Sequence, residues 1–161
     1  MRVHCLIPLL LAVASPSVLA LDAACEPVVQ ASEARMKQPA WHSIMEFGNG
    51  ERLEAIKASG QFFHQVDGKW TKFPVNLDVA EGKILAQIRS GEVKLTDCKA
   101  VGNDMVEGVP VTLVSSRTEM AGVPPGGATL YIGKQDGLPY RQVGDSVTVE
   151  YRYKDVVVPK L

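Results

Sequence analysis

Few side chains in this sequence are of the kinds that do chemistry, and their spacing narrows the options further. Three cysteines and three histidines are present. His4 and Cys5 fall in an apolar N-terminal stretch, which leaves Cys25, Cys98, His42 and His64 for the folded part. A zinc site needs three or four ligands at suitable spacing. His42 and His64 lie on separate expected strands and fit surface or half-buried strand positions better, so no metal or other cofactor is expected. No Gly-x-Ser-x-Gly elbow occurs, and no spacing singles out a Ser-His-Asp set. "GVPPGGATLY" (122–131) is glycine-rich but lacks the Gly-Lys-Ser/Thr ending of a phosphate loop and leads into a strand, so it reads as a turn. Glu46, Glu51 and Glu54 could face one another across a hairpin, as carboxylates on solvated strand faces commonly do. The chain is therefore expected not to be an enzyme. A deep pocket converging on His42 or His64 and a carboxylate would reverse that expectation.

The chemistry that the two remaining cysteines support is a crosslink. "MRVHCLIPLLLAVASPSVLA" (1–20) has a basic start at Arg2, an apolar run, and small residues at the −3 and −1 positions of a cleavage site after Ala20. The apolar run is shorter than the roughly 20 residues that cross a bilayer, and without a twin arginine it suits general secretion. Residues 1–20 are read as a signal peptide and 21–161 as one exported domain, soluble in the periplasm with no stable membrane span. Two cysteines in an oxidising compartment pair, and Cys25–Cys98 would stabilise the fold by roughly 4 kcal/mol. The competing reading acylates Cys25 as a lipoprotein. Against it, Asp22 stands where a lipobox has an aliphatic residue, and Cys98 would be left single. With 17 basic and 18 acidic side chains the net charge is −1, so the basic patch of a nucleic-acid binder is missing.

The aromatic residues say more. Phe62, Phe63, Trp70 and Phe73 fall on one expected hairpin, "QFFHQV" and "KWTKFPV" around Asp67-Gly68. Directly after it, "LDVAEGKILAQIRSG" (77–91) carries Leu77, Ala80, Ile84, Leu85 and Ile88 on one face of a helix. Asp78 with Glu81 would cap its start and Gly91 its end. An earlier short helix, "CEPVVQASEARMKQ" (25–38), and a hairpin around Asn49-Gly50 precede these elements, and a run of strands follows to the end. The order is helix, two hairpins, helix, then antiparallel strands. That predicts an α+β domain with one large twisted sheet and helices on one face; cystatin-like and NTF2-like folds have similar parts but differ in where the helices fall in sequence. Apolar sheet face in excess of what two short helices cover leaves room for a cavity lined by Phe62, Trp70, Phe73, Leu85, Ile88, Val149, Tyr151 and Tyr153. Such a cavity suits an apolar or acyl-chain ligand.

The last third, "ATLYIGKQDGLPYRQVGDSVTVEYRYKDVVVP", resembles the final strands of the LolA-like and LppX/LprG-like periplasmic carriers. The shared features are a strand, an Asp-Gly-Leu-Pro-x-Arg turn, and a last tyrosine-containing strand ending in Asp155 and a Val-x-x-Pro. "DGKWTKFP" before an amphipathic helix is similar to their middle section. The resemblance implies an unclosed half-barrel with helices on its concave face, and a role in holding or shuttling lipids or lipoproteins. The alternative function is an envelope protein-interaction module with a filled core.

Overall fold

A computed structural model describes residues 21–161; the signal peptide expected over 1–20 lies outside the described residues. Asp22 accepts the Ala24 N–H at 2.9 Å and starts a single 3-10 turn, Ala23–Cys25, that runs into helix α1, Glu26–Met36. Pro27 sits in its first turn, where a missing N–H costs no hydrogen bond. Then come β1 (Trp41–Phe47), β2 (Arg52–Ala58), β3 (Gln61–Val66), β4 (Lys69–Phe73) and helix α2 (Leu77–Ser90). The rest is β5 (Lys94–Val106), β6 (Val109–Met120), β7 (Val123–Gly133), β8 (Pro139–Gly144) and β9 (Val147–Arg152).

All nine strands form one antiparallel sheet in the order β4-β3-β2-β1-β9-β8-β7-β6-β5. The first and last strands pair at its centre, with Ser43 opposite Tyr151 and Met45 opposite Val149. The two edges, β4 and β5, are therefore successive in sequence, and α2 carries the chain from one to the other. The sheet is unclosed but curled. Ala55 of β2 and Leu95 of β5 line one cavity of about 540 Å³, although six strand spacings in a flat sheet would separate them by about 29 Å. The α+β half-barrel expected from the sequence is the observed architecture.

Local chemistry explains the element boundaries. Asp67-Gly68 and Glu107-Gly108 both sit at positive φ (50° and 74°, 47° and 82°), the pattern of a tight two-residue hairpin turn. The second of these turns joins β5 to β6. Of "GVPPGG" only Gly122 belongs to a turn: the chain reverses at Ala121-Gly122, and Val123 onward is already β7, paired with β6. The N-cap of α2 is Asn76, whose side chain accepts the Val79 N–H at 3.1 Å, and not Asp78, which pairs elsewhere. Gly91 is the left-handed C-terminal residue, as expected.

The Asp-Gly-Leu-Pro turn spends its polar groups on itself. Asp136 accepts the Leu138 N–H at 3.0 Å and the Tyr140 O–H at 2.8 Å. A Cβ on Gly133 would lie 2.3 Å from that carboxylate, so glycine is required there for contact. Tyr153 donates to the Pro139 carbonyl at 2.6 Å and meets the Tyr140 ring edge-on at 5.5 Å.

Cys25 and Cys98 form a disulfide across 73 residues, so the thiol that acylation of Cys25 would need is engaged. Cys98 follows Asp97, a positive-φ residue at an irregularity in the β5–β6 register. Such a bulge turns a side chain out of the regular alternation. With the link, the start of α1 is fastened to the sheet edge over a cluster of Val29, Leu85 and Leu95.

Two outcomes follow from these contacts. The Cys25→Ala/Cys98→Ala double variant should lose roughly 4 kcal/mol in urea denaturation, the loop-closure entropy of a crosslink of this span. Burial first, then the adjacent Asp136, push the Tyr140 hydroxyl up to about 12. An unfolded tyrosine ionises near about 10, so this stability is intact below about pH 10 and is lost as pH rises toward the folded value. Urea midpoints measured across that range should fall, and Tyr140→Phe should flatten part of the fall.

Candidate functional site

The cavity lies between the two helices and the face of the sheet they cover, here called the inner face. From α1 it takes Val28, Val29, Ser32 and Arg35, and from α2 Leu77, Ala80, Glu81, Ile84, Leu85 and Ile88. Those α2 positions repeat at helical spacing, which is why one stripe of the helix reaches the space. Sheet positions alternate in the same way. Trp41, Ser43 and Met45 of β1 face inward, beside Val149 and Tyr151 of β9 and Leu130 of β7.

Of the eight residues expected to line an apolar site, Leu85, Ile88, Val149 and Tyr151 stand in the cavity wall. Phe62, Phe73 and Tyr153 pack beside it with Trp41, Ala55 and Leu77, forming an aromatic floor at one end. Trp70 is not brought to this group. Phe73 lies opposite Phe62 and Trp70 opposite Gln65 in the β3–β4 register; three positions apart on one strand, the two side chains must point to opposite faces. Trp70 covers Ile56, Ala58 and Phe63 on the outer face, together with Val156.

Arg35 and Trp41, two central members of the wall, went unread in the sequence. Arg35 is 8% exposed and ion-paired with Glu81 of α2. Its guanidinium lies 5.0 Å from the Trp41 ring centroid and 5.2 Å from that of Tyr151. Cation–π contact on both sides and a carboxylate partner make burial of this charge tolerable. Position could have flagged Arg35, which is three residues after Ser32 on the stripe that begins at Val28. Its residue type argued for solvent. Tyr151 is half-buried against the cavity; burial pushes its hydroxyl pKa up, and Arg35 pulls it the other way.

Helix α2 is tied to its neighbours by ion pairs as well as by apolar packing of Leu77, Leu85 and Ile88. Leu85 is its one buried residue, while Val79 and Ile84 are 55% and 45% exposed. Near its start, Lys57 donates to Asp78 at 2.5 Å and to the Met36 carbonyl at 2.7 Å, joining α2, β2 and the end of α1. Glu81 meets Arg35 at mid-helix. Toward its end, Arg89 bonds Glu26 and Glu33 of α1 at 3.0 and 2.8 Å, which lowers the pKa of Glu26. This last set is exposed and worth little.

A histidine beside a carboxylate does exist, at another place. His42 Nε2 is 2.7 Å from Glu54 Oε2 on the outer face, with Arg52 also on Glu54. The small outer pocket that His42 lines, about 280 Å³, holds no serine, threonine or cysteine among its lining residues. His64 faces inward but stacks on Phe73 at 4.7 Å. Among the described residues no cluster of three metal-ligating side chains occurs, and no helix is long and apolar enough to cross a membrane.

No family model matches the sequence, and no curated protein matches it. Solved structures do. LprF from Mycobacterium bovis superposes with a TM-score of 0.51 at 14% identity, over 85% of this chain and 96% of that one. The lipoprotein LppX of Mycobacterium tuberculosis gives 0.52 at 11% identity, over 85% and 98%. At these identities the likeness is one of fold, and the chain has the fold of LppX and LprF. The resemblance read from the C-terminal strands is matched at that level.

The buried pair gives a direct test. Arg35→Ala should cost about 3 kcal/mol in urea unfolding because Glu81 is left uncompensated. The double variant Arg35→Met/Glu81→Leu should recover most of that loss, since apolar replacement of a whole buried pair is often neutral.

Proposed function

We propose that residues 21–161 form an exported periplasmic binding protein that holds an apolar or acyl-chain ligand beneath α1 and α2, without catalysis. The observation that carries this reading is the cavity of about 540 Å³, within the roughly 300–1,000 Å³ usual for small-molecule sites. Its wall is largely aliphatic, and no histidine lines it. Each methylene of a chain entering it gains about 0.8 kcal/mol, so affinity needs no reactive group. The fold it shares with the lipoprotein LppX supports the same reading, as does the carrier role implied by the C-terminal resemblance. The competing reading, an envelope protein-interaction module, draws on the exposed Val75, Val79 and Ile84 along and just before α2. In the binding reading Ile84 is part of the cavity wall.

The test is uptake. Protein exported to a periplasm and purified without detergent should carry a lipid in native mass spectrometry, or take up a fluorescent acyl probe. Leu85→Gln or Ile88→Gln should weaken uptake at least tenfold, while Trp70→Phe on the outer face should leave it unchanged. An apo mass together with no probe uptake would turn the assignment to the interaction module.

A further inference from the structure

The cavity beneath the helices has a sealed end and an open one. Among the described residues, β2 lines it with Ala55, and β3 and β4 contribute nothing. At that edge Phe62 of β3 and Phe73 of β4 pack with Trp41, Ala55, Leu77 and Tyr153 into one cluster, which closes the space. Trp41 and Ala55 are buried there. Elsewhere the wall reaches solvent, at Thr118 of β6 and Ile84 of α2. The polar side chains that β6 and β8 add to the wall, Ser116, Thr118 and Gln142, carry no charge.

Volume sets what fits. An apolar cavity of about 150 Å³ takes up one benzene, or about 25 Å³ for each carbon. At that density the space of about 540 Å³ holds about 22 carbons. Its mouth is included, so this is an upper limit. One acyl chain of about 16 to 18 carbons fits within the limit, and two such chains do not. A two-chain lipid would leave its second chain in water and forfeit about fourfold in affinity for every methylene kept outside.

The two ends set the direction. A polar head group is penalised at a sealed end unless it finds hydrogen bonds. There Ser43 Oγ is spent on the Ala55 carbonyl at 3.5 Å, and Arg35 is paired with Glu81. At the open end, water and uncharged side chains can serve the head, while the aromatic cluster suits a methyl terminus.

We propose that the cavity takes a single acyl chain, methyl end first against Ala55 and Trp41, and excludes lipids that must bury two long chains. The proposal rests on the reading of the cavity as a ligand site and adds the number, length and direction of the chains it holds.

The test uses 1-acyl lysophosphatidylcholines of increasing chain length and vesicles of dipalmitoylphosphatidylcholine. Affinity, read by displacement of a fluorescent acyl probe, should rise about fourfold per added methylene and level off between about 14 and 22 carbons. Native mass spectrometry should count one lysolipid per chain and no dipalmitoyl lipid. Trp41 and Trp70 are the two tryptophans, so in Trp70→Phe the fluorescence comes from Trp41. A bromine at the methyl end of the acyl chain should quench it at least twofold more than one beside the carbonyl. Ala55→Leu adds three side-chain carbons at the sealed end and should move the break about three carbons shorter. Dipalmitoyl lipid carried at one per chain, or a break outside the stated range, would overturn the single-chain limit and leave the binding function standing. Stronger quenching from the bromine beside the carbonyl, or an unshifted break in folded Ala55→Leu, would overturn the direction. Uptake of no probe at all would overturn both the proposal and the binding reading. The wild-type length series and the Trp70→Phe quenching decide the matter even if Ala55→Leu does not fold.

Discussion

The pairing of β1 with β9 is the constraint from which the rest of the structure follows. Once the first and last strands meet at the centre of the sheet, the two edges become consecutive in the chain. Residues 74–93 must then travel from one edge to the other. A helix of fourteen residues, Leu77–Ser90, takes up most of that path and spans about 21 Å. It has to cross the inner face, and the sheet has to curl to meet it. Helix α1, fastened to β5 through Cys25 and Cys98, fills part of the same concavity. Two short helices do not cover a face supplied by nine strands, and the uncovered remainder is the cavity.

This geometry explains why charged groups hold an apolar space together. A helix laid across an open concavity cannot bury a wide stripe: Leu85 is buried, but Val79 and Ile84 stay 55% and 45% exposed. The remaining attachment comes from Lys57 at Asp78, Arg35 at Glu81 and Arg89 at Glu26 and Glu33. Only the first two are shielded enough from water to matter much. Arg35 is the most informative of these residues. It joins α1, α2 and the central strands at one point, with its guanidinium 5.0 Å from the Trp41 ring centroid and 5.2 Å from that of Tyr151. The His42–Glu54 pair on the outer face is within hydrogen-bond distance, yet the pocket beside it is small and has no serine, threonine or cysteine in its lining. The Asp136 turn shows the same logic in reverse. A loop rich in polar residues would look functional, but its carboxylate is consumed by Leu138 and Tyr140.

The elements were legible because their signals are local. Asp67-Gly68 turns because a two-residue hairpin needs positive φ, and Gly91 ends α2 for the same backbone reason. The stripe from Leu77 to Ile88 depends only on helical spacing. The class of fold followed from element order, and the crosslink from having two cysteines in a chain read as exported. Errors of detail arose where several local signals competed: Asn76 and Asp78 are both good caps, and Gly-Pro runs suit turns and edge-like strand starts alike. Trp70 was grouped with Phe62 and Phe73 by proximity in sequence, although period-two alternation already separates it from Phe73.

What the sequence determined by itself, then, is the set of helices and hairpins, their order, and the apolar stripe that needs a partner. Each of these is fixed by backbone preference or by side-chain period over a few residues. Only the tertiary structure decided that β9 inserts beside β1, that the sheet curls around a cavity, and that Arg35, Trp41, Glu81 and Tyr151 converge in its wall. These four residues are scattered from 35 to 151, and no local pattern encodes their meeting. It depends on the register of central strands joined only after the whole chain has been laid down.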